Sequence, residues 1–117
     1  MRRARLTYPG AFHHVMNRGI RGEYIFPDDG DKQTFLEILF EKAKLIGVRL
    51  IGYCVMNNHY HVLLENSSGR MSALLKVING SYGIYYRHKH GGKGYVFQNR
   101  FSHTIVTLDS FSYSQNC

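Results

Sequence analysis

Long apolar runs are missing from this sequence. Nothing in it approaches the roughly 18–20 consecutive apolar residues of a membrane span, so no membrane partner is expected. The opening Met1-Arg2-Arg3-Ala4-Arg5 is basic but has no apolar stretch behind it. A secretory leader is therefore not expected, and the cytoplasm is the expected compartment. Cysteine is scarce: Cys54 and Cys117 are the only two, too few for a dense disulfide framework and without metal-site spacing. Proline is down to 2 residues, and no linkers, repeats or low-complexity tracts appear. A length of 117 residues fits one domain, 1–117, and leaves no room for a second. Acidic side chains are the last shortage. Only 8 Asp and Glu face 15 Lys and Arg, giving a formal charge of +7 and a pI near 9.6. Excess base mixed with 9 tyrosines points to a polyanionic partner, most often nucleic acid.

What is present is enough apolar side chain, 44% of residues, for a packed core. Ala11 to Asn17 reads as a strand opened by the Tyr8-Pro9-Gly10 turn and closed at Gly19. Asp28, Asp29 and Asp31 gather acid at a helix start. Phe35, Leu36, Leu39, Phe40, Ala43 and Ile46 follow at helical spacing, and Gly47 is a natural stop. Val48 to Met56 reads as a second strand, Asn57-Asn58 as its turn, and His59 to Glu65 as a third strand. A second helix carries Met71, Leu74, Leu75, Ile78, Tyr82 and Tyr85 on its apolar face. Tyr95 to Thr107 supplies a last strand, irregular around Gln98-Asn99, and Asp109 or Ser110 caps a further helix. The order β-α-β-β-α-β predicts an α+β, ferredoxin-like fold: an antiparallel sheet with two helices on one face and a truncated C-terminal helix.

Side chains alternate along a strand, so His59 and His61 share a face, about 6.5–7 Å apart along it. Two imidazoles so placed can reach one metal ion. With 7 histidines in 117 residues, roughly 0.4 such spacings arise by chance, so the spacing alone discriminates little. His88 and His90 repeat it near a helix end, where positions two apart diverge; they read as a solvated basic cluster. His13 and His14, adjacent on the first strand, face opposite sides. Glu65 shares the face of His59 and His61 but lies about 13 Å beyond His61, too far to join the same ion. A hard divalent ion would need further oxygen ligands, including a substrate phosphate.

The run Val55-Met56-Asn57-Asn58-His59-Tyr60-His61-Val62-Leu63-Leu64-Glu65 resembles the histidine–hydrophobic–histidine (HUH) signature of single-tyrosine transposases, in particular the REP-associated, insertion-sequence type. Tyr8-Pro9-Gly10-Ala11-Phe12-His13-His14-Val15 with Asn17-Arg18-Gly19 is similar to that family's opening. Gly94-Tyr95-Val96-Phe97-Gln98-Asn99-Arg100-Phe101 is similar to its Phe-Gln-x-Arg-Phe block. The resemblance implies a metal-dependent strand-transferase acting on single-stranded DNA at imperfect hairpins. His59 and His61 would hold Mg²⁺ or Mn²⁺, a tyrosine hydroxyl would attack the scissile phosphate, and a 5′-phosphotyrosine link would conserve the bond energy for rejoining. Such proteins work as homodimers or as monomers.

The chain departs from the pattern twice. Asn57-Asn58 replaces the usual Pro-Asn before the first histidine. Setting Leu108-Asp109-Ser110-Phe111 at the start of the family's C-terminal helix puts Cys117 at or just before the nucleophile position, so that helix is expected to be cut short. Tyr113, the tyrosine of the tail, is the candidate nucleophile under a shifted register. Candidate DNA contacts are Arg5, Arg18, Arg21, Gln98 and Arg100, with Lys76, Asn79 and Arg87 on the second helix. Gly80 and Gly83 on that helix suggest close backbone approach to the sheet or to DNA. Two alternatives stay open: a catalytically incomplete relative that only binds DNA hairpins, and an RNA-binding module of the RRM type. The second rests on Lys93-Gly94-Tyr95-Val96-Phe97, which imitates an RRM motif but leads into the fourth strand rather than the third.

Overall fold

The computed structural model describes residues 10–98 and 102–105. The element order is β1 (Phe12–Arg18), α1 (Asp29–Ile46), β2 (Arg49–Val55), β3 (His59–Glu65), α2 (Met71–His90) and β4 (Ser102–Ile105). The strands form one antiparallel sheet in the order β2-β3-β1-β4, the ferredoxin-like arrangement that the sequence predicts. A 3₁₀ turn at Ile20–Gly22, not foreseen from sequence, follows β1. Of the predicted strand 95–107, residues 95–98 are irregular apart from a Phe97 bridge to Gly19, Ser102–Ile105 pair as β4, and the rest lie outside the described residues. The predicted helix after Asp109 lies outside the described residues.

Local chemistry sets the element ends. The Asp28 carboxylate accepts the Asp31 N–H at 2.7 Å, satisfying one of the orphan donors of the first turn of α1. Gly47 ends α1 at φ +87°, a left-handed conformation that glycine adopts without Cβ strain, and its N–H bonds the Ala43 carbonyl at 2.9 Å. The Met56 N–H to His59 carbonyl bond of 2.8 Å closes the Asn57-Asn58 turn between β2 and β3. A bulge between Leu50 and Gly52 shifts the β2–β3 register.

The core lies between the helices and one face of the sheet. Phe35 and Leu39 of α1, and Leu74, Leu75, Ile78 and Tyr82 of α2, pack on Val15, Tyr60, Val62 and Leu64. Aromatic rings fill its centre, with Phe26, Phe35, Tyr60, Tyr82 and Phe97 in mutual edge or tilted contact. The two tyrosine hydroxyls in this core need partners. Tyr60 donates to Asn79 Oδ1 at 2.9 Å and Tyr82 to the Ile25 carbonyl at 2.5 Å. Burial raises both phenols well above their ordinary value.

A buried carboxylate pins the two helices together. Asp31, fully buried, accepts from Tyr85 Oη at 2.6 Å, Lys89 Nζ at 2.7 Å and His90 Nε2 at 2.8 Å. Burial alone would raise its pKa. Hydrogen bonds from Lys89, Tyr85 and His90, with the Lys89 charge, outweigh that and hold the carboxyl below its ordinary value. His88, Lys89 and His90 are all exposed, as the sequence predicts, and Lys89 and His90 also fasten the end of α2 to the start of α1. Packing within the chain does not demand the α2 glycines. A Cβ on Gly83 would make ordinary contact with Val96 at 3.7 Å, and one on Gly80 would meet nothing within 4 Å.

Candidate functional site: a histidine cluster on the open face of the sheet

Tyr60, Val62 and Leu64 of β3 are buried toward the helices, so His59 and His61 project from the opposite face. The structure brings them together with ring centroids 4.9 Å apart and planes at 83°. In the β1–β3 register Arg18 lies opposite His59, Met16 opposite His61, and His14 opposite Leu63. His14 therefore reaches His61 on the diagonal. Its Nε2 lies 2.9 Å from His61 Nδ1, and the two rings are 17° from parallel. His13, one residue away, is buried on the helix side, as strand alternation requires.

The surroundings favour the uncharged form of these imidazoles. Burial lowers all three pKa values; the Arg18 charge adds to the effect at His59, and His14 and His59 add to it at His61. Neutral imidazole is the form that ligates metals. The Asn58 Oδ1, an acceptor only, lies 2.8 Å from His59 Nδ1, so the proton sits on Nδ1 and Nε2 keeps its lone pair. A ligating histidine is typically held in this way by a partner on its other nitrogen. His59 and His61 thus fit a divalent cation as an imidazole pair. Among the described residues no group of three or more His, Cys, Asp or Glu could hold a metal, so the remaining ligands would be oxygens from elsewhere. Glu65 is not one of them: it stands at the far end of β3 and meets Arg49 at 3.4 Å.

The other predicted residues divide between two sides of the sheet. Arg18 is at the histidine end, and its carbonyl accepts the Gln98 N–H at 2.8 Å, which places Gln98 there too. The Asn57-Asn58 turn is tied to the same end, Asn58 O to Gly19 N and Asn57 O to Phe26 N, each at 2.8 Å. At Gly19 the chain passes so close to itself that a Cβ would sit 2.3 Å from the Glu23 carbonyl oxygen. Arg21 is exposed and pairs with Glu23 at 2.9 Å. Lys76, Asn79 and Arg87 belong to the helix layer, behind the sheet from the histidines. Lys76 is exposed there. The Asn79 carboxamide is taken by Tyr60, and the Arg87 guanidinium by the carbonyls of Gly91, Gly94 and Tyr95 at 3.2–3.3 Å. Tyr113, Arg5 and Arg100 lie outside the described residues. His14 is the site residue that the sequence reading missed; only the strand register could have revealed it.

The sequence profile of the family described as "Transposase IS200 like" matches residues 7–114. Two solved structures share the fold. One is described as a REP-associated tyrosine transposase bound to a REP hairpin, at TM-score 0.73 and 16% identity over 98% of this chain and 68% of the other. The second is a putative transposase from Deinococcus radiodurans, at TM-score 0.66 and 18% identity over 98% of this chain and 93% of the other. The comparison with curated proteins gave no match. No helix among the described residues is long and apolar enough to cross a membrane. With nearly all of its length matched by the profile, the chain belongs to the IS200-like transposase family.

Proposed function

We propose that this protein nicks and rejoins single-stranded DNA beside hairpins, with Mg²⁺ or Mn²⁺ held by His59 and His61 and with Tyr113 as the nucleophile. The observation that carries the reading is the pairing of His59 and His61 on the open face, ring centroids 4.9 Å apart, with Asn58 Oδ1 engaging His59 Nδ1 and leaving its Nε2 available. A divalent cation bound there supplies Lewis-acid polarisation of the scissile phosphate. The protein's own groups do the rest. Arg18, opposite His59, adds fixed positive charge where a phosphate must sit, and Gln98 lines the same end. The Tyr113 hydroxyl attacks phosphorus and loses its proton to water; the P–O3′ bond breaks and the departing oxygen takes up a proton, leaving a free 3′-hydroxyl and a 5′-phosphotyrosine. Attack of a 3′-hydroxyl on that ester reverses the exchange and needs no ATP. Hairpin DNA as substrate is supported by the fold shared with the structure described as bound to a REP hairpin.

Covalent capture on a denaturing gel tests this. The protein is incubated with labelled single-stranded hairpin DNA from the flanks of its own gene, with and without Mn²⁺, alongside His59→Ala and Tyr113→Phe. The expected result is a Mn²⁺-dependent protein–DNA adduct lost in both variants. An adduct that survives Tyr113→Phe removes that residue from the role. Hairpin binding without an adduct makes the chain a binding protein only, and a metal-insensitive preference for unstructured RNA makes it an RNA-binding module.

A further inference from the structure

We propose that His14 is the positioning residue for His61: its Nε2 accepts the His61 Nδ1 proton and so holds His61 in the tautomer whose bare Nε2 can take a cation. The inference rests on the metal reading above and names a residue that the reading does not need.

One proton lies between His14 Nε2 and His61 Nδ1 across 2.9 Å, and it belongs to one ring or the other. If His14 donates, His61 carries its own proton on Nε2 and cannot ligate there. If His61 donates, Nε2 is bare. The competent state therefore requires His14 as acceptor, with its own proton on Nδ1. Asn58 stands in the same relation to His59 through an oxygen that can only accept, so both imidazoles are oriented from their Nδ1 side. The same geometry rules His14 out as a third ligand: its Nε2 is occupied by His61, and no three-residue metal cluster forms among the described residues. Three histidines thus divide into two ligands and one orienter. The diagonal β1–β3 placement makes the contact, and near-parallel rings 5.0 Å apart hold it.

The test compares wild type with His14→Phe, which keeps an aromatic ring without an acceptor, with His14→Gln, which restores an acceptor oxygen, and with His61→Ala. Imidazole ¹⁵N NMR of the metal-free proteins reads the His61 tautomer, and the free Mn²⁺ EPR signal reads affinity. Thermal melts confirm that each variant is folded. In wild type His61 is expected to carry its proton on Nδ1. His14→Phe should move it to Nε2 and weaken Mn²⁺ binding about ten-fold or more, the usual cost of losing such a partner being roughly 10–100-fold, and His14→Gln should recover both. A His14→Phe protein that keeps the Nδ1–H tautomer and wild-type Mn²⁺ affinity, while His61→Ala loses binding, overturns the role of His14 alone. Undiminished Mn²⁺ binding by His61→Ala overturns the metal reading and this inference together.

Discussion

Replacing Asp31 by asparagine preserves the shape of a fully buried side chain and removes the charge on which Tyr85, Lys89 and His90 converge. Placed at the Oδ1 position, the amide oxygen can still accept from Tyr85 and Lys89, but the amide nitrogen turns N–H groups toward His90 Nε2. One hydrogen bond to a charged group is lost, at ~1.5–3 kcal/mol, and the other two lose the carboxylate's charge. Lys89 and His90 are 40% and 29% exposed, so water recovers part of that. The net cost is set at about 2–4 kcal/mol, or a fall in Tm of roughly 10 °C for a domain of this size. The pH dependence has a definite sign. The native carboxyl is held below its ordinary value of 3.8, so its contribution is complete above that pH and disappears as pH falls through the lower native value. The gap between wild type and Asp31→Asn should be full at neutral pH and narrow in acid. Urea unfolding followed by circular dichroism at a series of pH values measures it. A variant within about 0.5 kcal/mol of wild type at pH 7, the usual span of surface substitutions, would refute the reasoning that this carboxylate fastens α1 to α2.

Two further outcomes follow from the same geometry. Tyr60→Phe leaves the Asn79 oxygen without its donor and should cost about 1–3 kcal/mol in urea unfolding, while His59 and His61 on the other face keep their Mn²⁺ affinity. Arg18→Ala should weaken binding to single-stranded DNA and reduce the slope of log affinity against log salt by about 0.7, one phosphate contact on a single strand; an unchanged slope in a salt titration by fluorescence anisotropy would take Arg18 off the phosphate path.

The sequence by itself determined the order of elements and the identity of the histidine pair. Hydrophobic period, the acid gathered at Asp28, Asp29 and Asp31 and the Gly47 stop are local signals, and α1 begins and ends where they put it. Strand alternation is local too, which is why His59 and His61 could be assigned one face and His13 and His14 opposite faces before any pairing was known. Pairing is what the tertiary structure decided. His14 is 47 positions from His61, and only the register of β1 on β3 makes them neighbours. Distance in the chain likewise hid the fate of polar groups on α2. Asn79 and Arg87 have partners, Tyr60 and the carbonyls of the loop after α2, that arrive from elsewhere in the fold and that helical periodicity does not report. The bonds of Lys89 and His90 to Asp31 were hidden because Asp31 lies 58 and 59 residues away. Periodicity reports which face a side chain takes; a polar partner from another element appears only when the chain closes, because burying a charge or hydroxyl demands a partner wherever the chain can supply one.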